Sequence, residues 1–172
     1  MALPYRHVLL IGASSGIGRG MAERLIEGGS KVIVVGRRKD RLDALVEKYG
    51  KDKVTSTAFD ISKRDEIPQF VKEVTTSHPD LDCVFLNAGI QSPISFGDPS
   101  KLDISAFLHE CDVNFSSLVA LTYGFLPFLM TKQEPTGFIF TGANIAIVPA
   151  AGLPAYSASK AALNAFILCL RE

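Results

Sequence analysis

Tyr156 and Lys160 are the two residues whose types and spacing could do chemistry. They lie four residues apart at the start of an apolar run, so a helix there would place both side chains on one face. A fixed ammonium group beside a phenol can lower the phenol pKa from about 10 towards neutrality, which makes the phenol a usable general acid or base. The same spacing is also common on exposed helices, so the rest of the chain must decide between the two interpretations.

The composition indicates one globular domain. The chain has 172 residues, and 47% of them are hydrophobic, which is enough for a substantial core. Its 18 basic and 18 acidic side chains cancel, which argues against nucleic acid or an anionic membrane surface as a partner. The sequence shows no export signal and no uninterrupted apolar run of about 18 residues. We therefore expect a cytoplasmic protein that binds neither nucleic acid nor a membrane.

The cysteines and histidines do not predict a metal site. The three cysteines fall in apolar stretches and form no close pair, which is typical of reduced, buried thiols. His7, His78 and His109 lack metal-ligand spacing, so we expect them to be structural or surface residues.

Apolar runs alternate with helical patterns along the whole chain. The predicted strands are residues 7–11, 31–35, 54–59, 81–86 and 137–141. The predicted helices are residues 17–27, 40–49, 65–77, 104 to about 130, and 156 onward. Asp103 is expected to cap the long fourth helix, and Pro127 to kink or end its last turn. This order predicts an α/β fold of the Rossmann-like kind, a doubly wound parallel sheet with helices on both faces.

The longest irregular stretch, residues 90–103, follows the fourth predicted strand. It is rich in proline, serine and glycine. Ligands bind beyond the carboxyl ends of the strands in such folds, so we expect this loop to border a binding site.

A glycine-rich turn connects the first strand to the first helix. Gly12, Gly16 and Gly18 let backbone N–H groups approach a pyrophosphate at the positive end of the helix. The spacing G-x3-G-x-G differs from the G-x-G-x-x-G dinucleotide fingerprint, and a plain turn is the alternative. The strand-turn-helix context favours ligand binding.

Two arginines stand where a dinucleotide-binding fold usually carries an acidic residue. Arg37 and Arg38 follow the second strand, about 20 residues beyond the glycine turn. Guanidinium groups there suit a ribose 2′-phosphate, because they form bidentate, charge-assisted hydrogen bonds with it. A solvated helix start is the alternative, but the glycine turn upstream favours NADP(H) as the cofactor.

Two asparagines are weaker candidates. Asn87 is followed by Ala88 and Gly89, and small residues at a strand end let the backbone lie against a flat ligand, although an ordinary turn also fits. Asn114 lies within the long fourth helix, where such a residue alone predicts a side chain that faces solvent.

Taken together and in this order, the glycine turn, Asn87 to Gly89, Asn114 and Tyr156 to Lys160 resemble the short-chain dehydrogenase/reductase family. The resemblance implies that Tyr156 is the general acid for carbonyl reduction, and that Lys160 lowers its pKa and holds the nicotinamide ribose. It also implies that Asn114 supports a proton-relay water. The implied cofactor residues are Gly12, Ser14, Ser15, Gly16, Ile17, Gly18, Arg37, Arg38, Asp60, Ile61, Asn87, Ala88, Gly89, Tyr156 and Lys160.

The chain departs from the family pattern in two ways. Ala143 stands where the family usually has the serine that polarises the substrate carbonyl, which leaves Asn144 as a tentative donor and Thr141 as a second candidate. The family fold also normally continues beyond the helix with Tyr156, so residues 1–172 are expected to be one NADP(H)-binding Rossmann-type domain that lacks the carboxyl-terminal part of the fold.

These features predict an NADPH-dependent oxidoreductase. Its substrate would be a carbonyl or alcohol of a small, largely apolar molecule. The alternative, motivated by Ala143, is a protein of the same fold that binds NADP(H) and serves as a cyclase, isomerase or sensor. The apolar helices 104–130 and 156–172 predict a homodimer or homotetramer.

Overall fold

The computed structural model describes residues 4–94, 96–98 and 102–170. Parts of two predicted segments, residues 95 and 99–101 of the irregular loop and residues 171–172 of the last helix, lie outside the described residues. Contacts divide the chain into two units: residues 1–88 and 120–140 form the first unit, and residues 89–119 and 141–172 form the second unit.

The first unit contains a five-stranded, wholly parallel sheet with the strand order β3-β2-β1-β4-β5. The strands are β1 His7–Ile11, β2 Lys31–Gly36, β3 Val54–Ala58, β4 Cys83–Leu86 and β5 Gly137–Phe140. All residues of β1 and β4 are buried. This is expected for mainly apolar strands that are covered on both faces. The predicted parallel sheet is confirmed.

Helices cover both faces of this sheet. They are α1 Gly16–Glu27, α2 Lys39–Tyr49, α3 Ile67–Ser77 and the greater part of α5 Ser117–Met130. Val8 and Leu10 of β1 pack in one cluster with Leu25 of α1 and Leu42 of α2. Alternate strand residues point to opposite faces, so the equally buried Leu9 lies on the other side. The doubly wound arrangement is therefore confirmed.

Aromatic contacts fix the last helix of the first unit against α3. Phe70 stacks on Phe59 with ring centroids 4.2 Å apart and meets Phe125 edge to face at 6.2 Å. Such ring pairs stabilise packing beyond the area that they bury.

The second unit holds α4 Ile104–Cys111, a π-helical segment Asp112–Ser116, a short 3-10 turn Asn144–Ala146, and α6 Pro154–Cys169. The Asp103 carboxylate accepts a hydrogen bond of 3.0 Å from the Ala106 N–H, so the predicted cap is confirmed. The predicted single helix is instead interrupted by the π-helical segment, and α5 ends three residues after Pro127. α6 begins two residues before Tyr156, at a proline that suits the first turn of a helix.

The long apolar helix also bears on membrane association. Among the described residues, Ile104–Met130 is the one helix that is long and apolar enough to cross a membrane, with a mean hydropathy of 1.5. The core helix of a soluble protein passes the same test, and Leu118, Leu121 and Phe125 are fully buried here. The helix is therefore weak grounds for a membrane span.

Close backbone packing shapes the turn between β1 and α1. Gly12 has φ of +93°, and a Cβ atom there would lie 2.7 Å from the Ala88 backbone. A Cβ atom on Gly18 would lie 2.0 Å from the Gly12 carbonyl oxygen, to which the Asn87 side chain donates a hydrogen bond of 3.1 Å. The turn, the start of α1 and the end of β4 thus meet at distances that only glycine permits.

Gly18→Ala and Gly20→Ala should change stability in opposite directions. Both glycines lie in α1, where alanine is favoured over glycine by ~0.5–1 kcal/mol, and a Cβ atom on Gly20 meets nothing within 4 Å. Gly20→Ala should therefore raise the free energy of unfolding by about that amount. Gly18→Ala should lower it by roughly 1–3 kcal/mol because the Gly12 backbone must move. Urea denaturation of the full-length protein measures both, and a gain in stability for both variants would contradict this packing.

Candidate active site

In the first unit, the predicted cofactor residues lie in the loops that follow β1, β2, β3 and β4. The strands are parallel, so these loops share one edge of the sheet, the edge at which ligands bind in such folds. The first turn of α1 contains no acidic residue, and its N-cap Ser15 makes no side-chain cap hydrogen bond. The positive end of the helix is therefore open to an anion.

Arg38 lies against the glycine turn. Its guanidinium group donates to Ser14 Oγ at 3.0 and 3.3 Å and to Ser15 Oγ at 2.6 Å. Arg37 is exposed and makes no hydrogen bond or ion pair with the other described residues. The sequence predicts the same role for both arginines, but only Arg38 is hydrogen-bonded to the glycine turn.

The loop after β3 is fixed by its own side chains. Asp60 Oδ1 accepts hydrogen bonds from the Ser62 N–H at 3.0 Å and from the Ser62 hydroxyl at 2.9 Å, and Ile61 is buried. This local turn holds Asp60 and Ile61, two of the predicted cofactor residues, at the carboxyl end of β3.

Asn114 lies at the centre of the second unit, in the π-helical segment, and is fully buried. Its side-chain oxygen accepts from the Ile90 N–H at 2.8 Å, and its side-chain nitrogen donates to the Ile90 carbonyl at 2.8 Å and to Ser159 Oγ at 3.2 Å. The alternative of a solvent-facing side chain is therefore excluded for Asn114. Asn114 lies in the π-helical segment rather than in a regular α-helix.

Lys160 is a buried cation on α6. Its side chain is 3% exposed, and Nζ donates a hydrogen bond of 2.8 Å to the Thr141 carbonyl. Burial lowers the pKa of Lys160, because desolvation disfavours the charged form. Nζ lies 5.7 Å from the centre of the Tyr156 ring, so the two side chains are neighbours as their spacing predicts.

Tyr156 differs from the expectation in its ionisation. Burial, and after it the charge of Glu110, raises the pKa of the Tyr156 phenol, whereas the sequence predicts a lowered value. The direction is opposite to the prediction because partial burial disfavours the phenolate and the charge of Glu110 adds to this effect. A raised pKa leaves the phenol protonated at neutral pH.

The candidate carbonyl donors lie in the segment after β5. Ala143 has an extended backbone and precedes the 3-10 turn that begins at Asn144. The Asn144 side chain is exposed, and its backbone carbonyl accepts from the Ile147 and Val148 N–H groups at 3.0 Å. Thr141 is half-buried, and its carbonyl is the one bound by Lys160. The sequence-based choice between Asn144 and Thr141 stays open.

Glu110 is a residue that the sequence analysis missed. It is fully buried on α4, and Oε2 accepts from the Ser92 N–H at 2.9 Å. Burial raises the pKa of Glu110. The available signal was an acidic residue in an apolar helix, four positions before Asn114 and hence on the same face.

The histidines and cysteines form no metal centre within the described part of the chain, where no three His, Cys, Asp or Glu side chains converge. His7 Nδ1 lies 2.9 Å from Asp80, and its ring meets that of His78 edge to face at 5.2 Å. Both contacts lie at the amino end of β1, away from the edge that carries the glycine turn.

Comparison with known proteins gives relatives that match nearly the whole chain. Benzil reductase ((S)-benzoin forming) of Saccharomyces cerevisiae is 34% identical over 165 residues, which are 94% of this chain and 63% of that one. An NADP-dependent 3-hydroxy acid dehydrogenase of Salmonella typhimurium is 31% identical over 164 residues, covering 95% of this chain and 64% of that one. The chain thus spans a little under two thirds of the length of these two relatives.

Solved structures agree with the fold. A short-chain dehydrogenase from Streptomyces avermitilis superimposes with a TM-score of 0.88 at 27% identity, covering 99% of this chain and 61% of that one. The family model described as short chain dehydrogenase matches residues 6–172. With that match added to the parallel sheet and to its glycine turn, this chain belongs to the short-chain dehydrogenase family.

Proposed function

We propose that the chain is the cofactor-binding and catalytic part of an NADPH-dependent oxidoreductase that reduces a carbonyl group of a small, largely apolar molecule. The family and its named relatives support an oxidoreductase. The observation that carries the reaction type is the buried Lys160 ammonium beside the Tyr156 phenol on α6. A buried cation without a carboxylate partner is costly, and catalytic sites are where such groups are usually found.

The first unit fits a dinucleotide. In the glycine turn the backbone at Gly12 lies close to that of Ala88, and the backbone at Gly18 lies close to that of Gly12. A Cβ atom at Gly12 or Gly18 would clash with the neighbouring backbone. The first turn of α1 offers N–H groups and the positive end of the helix to a pyrophosphate. Gly12, Ser14, Ser15, Gly16, Ile17 and Gly18 are the residues proposed for this role.

Arg38 is the basis for preferring NADPH over NADH. The guanidinium group is held by Ser14 and Ser15, and the two residues directly after β2 are Arg37 and Arg38 rather than an acidic residue that could bind a free 2′-hydroxyl. A positioned guanidinium recognises a phosphate by charge-assisted hydrogen bonds. The Salmonella relative, named as NADP-dependent, agrees with this preference.

NADPH, when bound, supplies the hydride. Tyr156 donates a proton to the carbonyl oxygen, since its raised pKa keeps the phenol protonated at neutral pH. Lys160 would hold the nicotinamide ribose, and it places a positive charge near the phenol that would favour loss of the phenol proton. Asn114 orders the backbone at Ile90 and, in the role that the family resemblance implies, supports a proton-relay water.

Exposed apolar side chains near the candidate donors motivate the substrate class. Ile147 and Val148 follow the 3-10 turn that begins at Asn144, and both are more than 70% exposed. A largely apolar substrate would cover such side chains. The name of the yeast relative gives benzil as its substrate.

A non-redox role of the same fold is the second candidate. Ala143 supports it, because a methyl group cannot donate the hydrogen bond that the usual serine provides. Losing one such donor typically lowers a rate about 10²–10³-fold. A cyclase, an isomerase or a cofactor sensor would then bind NADP(H) without turning it over.

The proposed assembly is a cytoplasmic homodimer or homotetramer. In the second unit, Ile104 and Leu108 lie one turn apart on α4 and are 68% and 55% exposed, and Leu168 of α6 is also exposed. Apolar side chains at helical spacing favour contact with another helix.

Tyr156→Phe should lower kcat about 10²–10⁴-fold, because it removes only the hydroxyl that donates the proton. NADPH oxidation by the full-length protein across a panel of carbonyl compounds measures turnover, and fluorescence titration measures NADPH binding, which should change little. Tyr123→Phe is the matched control, since Tyr123 is exposed on α5. Unchanged turnover in Tyr156→Phe would remove the catalytic assignment, whereas NADPH binding without wild-type turnover would favour the non-redox role.

Arg38→Ala should weaken NADPH binding about 10- to 100-fold and leave NADH binding nearly unchanged, because it deletes charge-assisted hydrogen bonds to the 2′-phosphate. Dissociation constants for both cofactors, measured by fluorescence titration, test this. Arg37→Ala and Arg41→Ala serve as comparisons from the same region, and both of these side chains are exposed. An equal loss for NADPH and NADH in Arg38→Ala would mean that Arg38 only supports the glycine turn through its serine contacts.

Leu108→Asp combined with Ile104→Asp should shift the full-length protein to a smaller assembly, because charges on this face oppose its burial. Light scattering coupled to size-exclusion chromatography measures the mass. The single exposed substitution Glu47→Gln on α2 is the control. A wild-type monomer, or an unchanged mass of the double variant, would contradict assembly through this face.

A further inference from the structure

Glu110 is a fully buried carboxyl group that the proposed chemistry does not use. Oε2 accepts the Ser92 N–H at 2.9 Å. Oε1 is buried and has no hydrogen-bond partner among the described residues. A buried, half-satisfied carboxyl group is destabilising, so its presence calls for a role.

Glu110 and Asn114 together hold the segment that follows Gly89. Asn114 binds both the N–H and the carbonyl of Ile90, and Glu110 binds the N–H of Ser92. Four residues along a helix rise about 6 Å, and two residues of extended chain span about 6.6 Å. The spacing of Glu110 and Asn114 along the helix therefore matches the spacing of Ser92 and Ile90 along the segment. The two side chains provide hydrogen bonds of the kind that a neighbouring strand would otherwise provide.

The Glu110 carboxyl group also acts on Tyr156. α4 packs against α6 within the second unit, where Cys111 Sγ lies 3.9 Å from the Ala155 carbonyl, next to Tyr156 in the chain. Burial raises the pKa of Tyr156, and the charge of Glu110 raises it further, because a carboxylate disfavours a nearby phenolate.

Other ionisable groups lie on both of these packed helices. The helix of Glu110 and the segment just after it carry His109, Cys111 and Asp112, and α6 carries Tyr156, Lys160 and Cys169. Residues 90–94 carry none. Tyr156 is the one group on α6 whose pKa shift is caused in part by Glu110, since the lowered pKa of Lys160 is caused by burial.

We propose that Glu110 is a positioning residue of the candidate site: with Asn114 it holds residues 90–92 on α4, and it places a negative charge beside the Tyr156 phenol. The charge acts in the direction of carbonyl reduction, because it favours the protonated phenol as donor over the phenolate as base. This part of the inference rests on the proposed function. The contact with Ser92 does not.

Two conservative substitutions in the full-length protein separate the two roles. Glu110→Gln keeps an oxygen that can accept the Ser92 N–H and removes the charge. Glu110→Asp keeps the charge and withdraws the carboxylate by one methylene, out of reach of Ser92. The exposed Glu47→Gln on α2 is the control, and it should alter neither measurement.

The charge is tested by ultraviolet titration of the phenols, which needs no turnover. Subtracting the titration of Tyr156→Phe, made in each background, isolates Tyr156 from the other tyrosines. Glu110→Gln should move the Tyr156 midpoint to lower pH, whereas Glu110→Asp should leave it close to that of the wild type. In active protein, the limb of the kcat/KM profile that reports Tyr156 should move the same way. An unmoved midpoint in Glu110→Gln would overturn the electrostatic role.

The contact is tested by hydrogen exchange at the Ser92 amide. Exchange should be slow in the wild type and in Glu110→Gln, and about tenfold faster or more in Glu110→Asp, because a hydrogen bond to a charged acceptor is lost. Equal protection in all three proteins would overturn the positioning role. If the wild type binds NADPH but turns over no carbonyl compound, the proposed function fails, and both Glu110 measurements still decide this inference.

Discussion

The hydrogen bonds of the Asn114 side chain are the interaction on which the second unit depends. One amide group pairs with the backbone of Ile90 on one side and with Ser159 on the other, so it connects the segment after Gly89, the π-helical segment and α6. Ser159 in turn donates to the Tyr156 carbonyl at 3.0 Å. Because these groups are buried, any one left unpaired costs the full desolvation penalty, which makes the arrangement specific. The π-helical segment is the deformation that places Asn114 between its partners.

The sequence predicts the sheet better than the site, for a physical reason. Strands such as His7–Ile11 and Lys31–Gly36 are buried on both faces, so apolar runs and glycine turns suffice to locate them. The burial of Asn114 depends on a helix that departs from its regular spacing, which no periodicity reveals. Arg38 contacts Ser14 and Ser15, which lie 24 and 23 residues before it in the chain. Only the pairing of β1 with β2 brings the loops after these two strands together.

The direction of the Tyr156 pKa shift follows from burial first and from the charge of Glu110 second. Desolvation raises the pKa of the phenol and lowers that of the ammonium, so the same partial burial acts on both in opposite directions. Lys160 also satisfies the Thr141 carbonyl, which keeps its charge directed at a backbone dipole 2.8 Å away. Glu110 adds a negative charge on the side of α4. The spacing of Tyr156 and Lys160 alone predicts only that the ammonium stabilises the phenolate. The structure adds burial and the charge of Glu110, which both disfavour the phenolate.

Because Ala143 cannot donate the hydrogen bond that the usual serine provides, the proposed reduction depends more strongly on the protonated phenol of Tyr156. A carbonyl oxygen gains most from donors that are fixed before the reaction, because they need no reorganisation. Asn144 is exposed on a 3-10 turn, so its amide would have to be ordered by the substrate, at a cost in side-chain entropy. Tyr156 is held on α6, and its raised pKa keeps the proton in place across neutral pH. In a site without the usual serine, a phenol that stays protonated is the donor that is already positioned, and the buried charge of Glu110 helps to keep it so.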